Sequence, residues 1–176
     1  MNLSPLTLAT CLLLTPSITW STSTCENYAD GIRALAANNR IPLIPVMSRP
    51  NGAADHKPPH EVGCQTQSSR EARGVMLAFA QPEGGAASYV RGMRSNMVSA
   101  GFEPAVALEP ALGHEGFSVF LPGPLPRPSY LSMTGHTDRV VVFLHVSVTS
   151  FRSKQLTDAD LHAARALVLK ALNEQR

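Results

Sequence analysis

The sequence predicts an α+β fold, a mainly antiparallel sheet with three helices packed on it. Three observations predict it. Apolar residues recur at helical spacing in Glu26–Asn38, in roughly Ser88–Ala100 and in a stretch after Thr157. Short alternating or β-branched runs lie between these stretches, and adjacent strand candidates are joined by short turns rather than by the long crossovers of a parallel sheet. The order reads helix, strand or strands, helix, three strands, helix.

The chain opens with an address. Leu6 to Leu14 is a short apolar run closed by Pro16 and followed by the small polar stretch Ser21–Thr24, the pattern of a secretory signal peptide. The run is about half of the roughly 20 residues that span a bilayer as a helix. Residues 1–23 are therefore expected to be removed, leaving 24–176 as a single α+β domain in the periplasm or outside the cell. Cys11 leaves with the signal, and the mature chain keeps Cys25 and Cys64. In an oxidising compartment an even pair is expected to be bonded. Closing a loop of about 40 residues removes on the order of 4 kcal/mol of unfolded-chain entropy.

After Cys25, the residues Tyr28, Ile32, Leu35 and Ala36 form the face of a short amphipathic helix that stops at Asn38 and Asn39. Two prolines in Ile41–Val46 allow only an edge or extended segment. Met47 to Gly63, rich in Pro, Gly, Asn and charge, reads as a loop, with Cys64 pinning the approach to the first strand. Gly74–Ala80 alternates, with Val75, Leu77 and Phe79 on one face. A turn, Gln81–Ala86, leads into the second helix, where Val90, Met93 and Met97 share a face, Arg91 and Arg94 look outward, and Gly101 suits a left-handed cap. A Pro-interrupted connection then leads to the strand Phe117–Leu121, and the segment Pro122–Pro128 reads as a stiff arm. Tyr130–Thr134 and Arg139–Val148 flank a four-residue connection, Gly135–Asp138, as a hairpin. Its second arm sets Val140, Val142, Leu144, Val146 and Val148 on one face, and Val141, Phe143, His145 and Ser147 on a less apolar one. Thr157 with Asp160 is a variant capping box. Leu161, Ala164, Val168, Ala171 and Leu172 complete the last helix.

The short helix headed by Cys25, Cys64 ahead of the first strand, and the run Ala111-Leu112-Gly113-His114-Glu115-Gly116-Phe117 resemble small exported bacterial domains of unknown function, often lipoproteins, that share a PsbP-like α+β sandwich. The ending, a hairpin followed by Leu156-Thr157-Asp158-Ala159-Asp160 and an Ala/Leu-rich helix, is similar too. His114 stands where that family usually has Asp, and Gly116 where it has Ala. The resemblance implies a PsbP-like sandwich and an exported location. It transfers no catalytic residue.

Composition narrows the function classes. Of 176 residues, 44% are hydrophobic and 16% charged, and the net charge is +2. These values fit one globular domain rather than a disordered or multi-pass membrane chain. The basic residues are dispersed, with no run of three and no interleaved aromatics, so a nucleic-acid partner is not expected. No G-x-S-x-G, H-E-x-x-H, P-loop or G-x-G-x-x-G motif is present.

His56 and His60, flanked by Asp55 and Glu61, offer zinc or copper ligands. Pro58 and Pro59 exclude the helix on which two such histidines would converge, so a solvated loop is the default and no cofactor is expected. His114 with Glu115 offers an acid/base or binding pair, against a plain turn before a strand. General acid-base chemistry also needs a second positioned group and a pocket. His136 and Asp138 fit a tight turn for conformational reasons alone. His145, on the less apolar strand face, is the candidate pocket residue, against a satisfied half-buried histidine. The expected function is non-enzymatic binding of a protein partner or small ligand in the cell envelope, one version being an inhibitor or immunity protein. The alternative is a metal-dependent or histidine-using envelope enzyme.

Overall fold

The computed structural model describes residues 23–39, 47–51, 61–67, 74–122, 129–148 and 155–176. The expected signal segment, the extended segment 41–46, His56 and His60, and most of the Pro122–Pro128 arm lie outside them. The described chain is an α+β structure. Its elements are α1 (Ser23–Asn38), β1 (Met47–Asn51), β2 (Glu61–Gln67), β3 (Gly74–Ala80), α2 (Ala86–Met97), β4 (Val106–Leu108), β5 (Phe117–Leu121), β6 (Ser129–His136), β7 (Val141–Val148) and α3 (Asp158–Asn173).

The strands form one antiparallel sheet in the order β1-β2-β3-β7-β6-β5-β4. Two meanders, β1–β3 and β4–β7, therefore meet along a single seam where β3 pairs with β7, Leu77 opposite Leu144. On the first face of that seam, Val75, Leu77 and Phe79 lie beside Val142, Leu144 and Val146, all fully buried under α1 and α3. The two helices cross-brace each other. The Tyr28 hydroxyl donates to Glu174 at 2.6 Å, and Lys170 Nζ donates to the Asn27 carbonyl at 2.7 Å. Burial, and then the Glu174 carboxylate, push the Tyr28 phenol well above its ordinary range.

The capping box at α3 is built as the Thr157/Asp160 spacing predicts, and it does more than cap. The Asp160 carboxylate accepts from Thr157 N–H and the Thr157 hydroxyl, both at 2.9 Å, and from Asn39 Nδ2 at 3.1 Å. The start of α3 is thereby fixed to the end of α1. Gly135 lets α3 come close to the sheet, since a Cβ there would stand 2.7 Å from Leu172 Cδ1 and 2.8 Å from the Leu112 carbonyl.

The second face carries α2. Ala86 and Val90 are buried against Ala80, Phe117, Val119 and Val141, with Met93 and Met97 packed at the margin. The helix starts two residues earlier than its spacing suggested, and the chain continues from Met97 into a turn, Val98–Phe102, that is kinked at Gly101, whose φ is 88°. No helix among the described residues is long and apolar enough to cross a membrane.

Three expectations are corrected. Residues 47–63 are not one loop, because β1 and the start of β2 lie within them and pair, Ser48 opposite Cys64. Pro50 is tolerated because β1 is an edge strand with one side unpaired. Cys64 accordingly sits inside β2, wholly buried, rather than ahead of the first strand. The Pro-interrupted connection holds a three-residue edge strand, β4, between two 3₁₀ turns at Glu103–Ala105 and Pro110–Leu112. The β6–β7 turn is shifted by two residues: Thr137 N–H donates to the Val140 carbonyl at 2.9 Å, so Gly135 and His136 belong to β6. A shift of two keeps every side chain on its predicted face.

Candidate functional site

The shift of His136 into β6 creates the site. The segment before β5 is a compact knot of backbone hydrogen bonds, Leu112 N–H to Glu109, Gly113 N–H to Pro110 and Gly116 N–H to Gly113 at 2.8–3.1 Å. Buried Glu109 anchors this knot to α3 through two bonds from Arg165, at 2.6 and 2.9 Å, and accepts from Ser118 Oγ at 3.0 Å. A bidentate guanidinium fixes orientation as well as distance. The knot's tip, Gly113-His114-Glu115, is thus held against the end of β6.

Gly113 sits there at φ 114°, ψ 153°, a backbone region that is essentially reserved for glycine. A Cβ on it would stand 2.7 Å from His136 Cδ2 and 2.8 Å from Nε2. The absence of a side chain is what lets the imidazole of His136 lie against the turn. His114 then meets His136 edge to face, ring centroids 4.9 Å apart at 81°.

Both ring nitrogens of His136 are engaged. Nδ1 lies 2.9 Å from the Thr137 carbonyl, which only accepts, so the network assigns the proton to Nδ1. Nε2 accepts from the Glu115 backbone N–H at 3.4 Å. His136 is a fixed, nearly buried wall, and His114 is the exposed partner.

The Glu115 carboxylate is committed elsewhere. Arg91 reaches it at 2.8 Å and Arg94 at 3.0 Å, tying the tip to α2. The hydrogen bond from Arg91, reinforced by the charges of Arg91, Arg94 and His114, holds this carboxyl below the usual carboxylate range. Arg91 and Arg94 are therefore ion-paired rather than merely solvated.

These elements border a cleft of about 600 Å³ lined by Gly113, His114, His136, the turn Thr137–Val140, Gln175 and Arg176. Of the residues singled out in the sequence, His114 lines the cleft and Glu115 secures its rim. His145 stands apart on the second face of β7, opposite Met76 and Ser132. His145 lies four residues along β7 from Val141, the register partner of His136, about 13 Å away at the usual rise per residue. The His145 ring meets Tyr130 edge-on at 4.8 Å, and Tyr130 stacks on Phe102. Burial pushes the His145 imidazole below its ordinary range. His56 and His60 lie outside the described residues. Among the described residues, no group of three or more His, Cys, Asp or Glu is placed to hold a metal ion.

Sequence reasoning missed His136, Arg139 and Arg176 as site residues. One signal for His136 was present: Gly113-His114 and Gly135-His136 repeat the same dipeptide at two chain reversals. Comparison with protein-family models, with curated proteins and with solved structures gave no match to this chain.

Proposed function

We propose that the protein is an exported, non-enzymatic binding domain that takes a small polar ligand in the cleft between the Gly113–Glu115 tip, the β6–β7 turn and the end of α3. The cleft carries this reading. Its volume of about 600 Å³ falls in the range typical of small-molecule sites. The polar side chains of its lining suit a polar occupant, and the Gly113–Glu115 tip that forms one wall is fixed by ion pairs and backbone bonds. Preorganisation of that kind favours binding, because little ordering entropy is lost when the ligand arrives.

The juxtaposition of two histidines also favours a second reading, a histidine-using envelope enzyme. The binding reading is preferred because Glu115, the adjacent carboxylate, is held by two guanidiniums and kept a weak base. His136 meanwhile spends both nitrogens on the backbone. That leaves the exposed imidazole of His114 at the tip, and acid-base chemistry there needs a second positioned group.

The exported location and a Cys25–Cys64 bridge belong to the same proposal. The bridge is supported by the position of Cys64, buried in β2 under the helix whose first turn holds Cys25. N-terminal sequencing of the purified protein is expected to begin near residue 24. Alkylation before and after reduction is expected to add two thiol labels only after reduction.

The ligand site is tested by a ligand-observed NMR screen of polar small molecules against the wild type and Asp138→Trp, whose exposed turn position fills the cleft without touching the core. Hits that vanish in the variant support the reading. Hits indifferent to it, or no hits alongside stoichiometric capture of an envelope protein, overturn it.

A further inference from the structure

We propose that the cleft is an oxyanion site, in which Arg139 and Arg176 receive a carboxylate or phosphate group of the ligand. This rests on the cleft being a ligand site and names the chemistry it selects. The observation is a contrast among arginines. Six arginine side chains are described. Arg33 pairs with Asp30, Arg91 and Arg94 pair with Glu115, and Arg165 pairs with Glu109. Arg139 and Arg176 make no such pair among the described residues, and both line the cleft.

The contrast is informative because elsewhere in the described fold carboxylates meet the guanidiniums. Among the described residues the one acidic side chain lining the cleft is Asp138, and no ion pair there joins it to its neighbour Arg139 or to Arg176. A guanidinium offers planar paired donors that match a carboxylate or phosphate edge. Both residues line the same cleft, and together their guanidiniums offer paired donors to a single oxyanion.

Two further groups complete the recognition. The Thr137 hydroxyl accepts the backbone N–H of Arg139 at 3.4 Å and of Val140 at 3.1 Å, so its own proton is left to donate outward. His114, exposed at the tip and braced by the ring of His136, presents an imidazole to the same space. Asp138 disfavours a second anionic group on the ligand near the turn, which points to a ligand with one anionic end.

The experiment is an NMR titration of the full protein at constant ionic strength with three probes: inorganic phosphate, acetate and the neutral polyol glycerol. The proteins are the wild type, Arg139→Gln, Arg176→Gln, the double variant, and Arg33→Gln as a control on an exposed pair remote in the chain. Saturable shifts at Gly113–Glu115 and Thr137–Val140 are expected with phosphate or acetate, and the stronger of the two identifies the headgroup. Each single Arg→Gln change is expected to weaken binding about three- to tenfold, the double to abolish saturation, and Arg33→Gln to change nothing. Equal titrations in all five proteins overturn the assignment. Saturation by glycerol with neither anion binding overturns the oxyanion chemistry and leaves the cleft as a ligand site. Failure of all three probes overturns the oxyanion site, and the cleft reading itself is decided separately by the polar-ligand screen.

Discussion

Replacing Gly113 by alanine tests the local geometry on which the site depends. Two independent penalties apply. At φ 114°, ψ 153° an L-residue occupies a region essentially closed to it, a strain of about 1–3 kcal/mol. The new Cβ would also stand 2.7, 2.8 and 2.9 Å from Cδ2, Nε2 and the carbonyl oxygen of His136. Overpacking of a nearly closed contact adds about 1–3 kcal/mol. The expected loss is about 4 kcal/mol, a large share of the 5–15 kcal/mol that holds a typical domain together. For a domain of this size it corresponds to a fall in Tm of about 8–16 °C. Urea unfolding followed by circular dichroism measures it, with an unchanged m value showing that the unfolded state is not the cause. In a His136→Ala background the ring contacts are gone while the backbone strain and the carbonyl contact remain, so the same change is expected to cost about 1–2 kcal/mol less. Gly92→Ala is the control of opposite sign: it lies inside α2 with nothing within 4 Å of its Cβ, and a gain of about 0.5–1 kcal/mol is expected from helix propensity. A Gly113→Ala cost below about 1 kcal/mol, or no coupling to His136, would refute the claim that the glycine exists to admit the imidazole.

Three other outcomes are expected. Because burial depresses the His145 pKa, the unfolded chain binds more protons between that depressed value and the ordinary histidine value. The contribution of His145 to stability is therefore complete above about pH 6.5 and is lost as pH falls through that window, at no more than about 1.4 kcal/mol per pH unit. His145→Phe, which keeps a ring beside Tyr130, is expected to flatten the urea midpoint against pH there; an unaltered profile would place the titration elsewhere. Asp160→Ala removes the acceptor shared by Thr157 and Asn39 and is expected to cost about 2 kcal/mol, read by urea unfolding. Arg165→Met leaves Glu109 with only the Ser118 hydroxyl and, discounted for the partial exposure of Arg165, is expected to cost about 1–2 kcal/mol. Amide exchange should quicken at Leu112–Gly116, and unchanged protection there would show that the ion pair does not hold the tip.

The legible parts of the fold are those whose burial is one-sided or capped. In β7, Val142, Leu144 and Val146 face a continuous core while Phe143 and His145 do not, and alternation reports that directly. At α3, the Thr157/Asp160 spacing marks the start to the residue. Edge strands wrote no such signal. Met47–Asn51 contains a proline and no alternation, and Val106–Leu108 is too short to have a period, so only pairing with a neighbour makes them strands. The site was half legible for a related reason. His114 and Glu115 stand out locally as polar residues between glycines, whereas the Glu115–His136 contact spans 21 positions. Nor does sequence reveal that, of the six arginine side chains described, four find carboxylates among the described residues and two do not.

The seam between β3 and β7 governs when this chain is able to finish folding. Each meander closes over short stretches, but Ala80 must wait for Val141. Closing so long a loop is the slow kind of step in β topologies, because its entropy is lost before any contact compensates it. During that wait β3 is an open edge with Val75, Leu77 and Phe79 along one side, a template for any other strand nearby. A chain that is synthesised or threaded from its N-terminus carries that edge until β7 follows. The yield of folded protein is thus set by the interval between two strands, and a variant that leaves the finished structure untouched while delaying β7 is expected to aggregate.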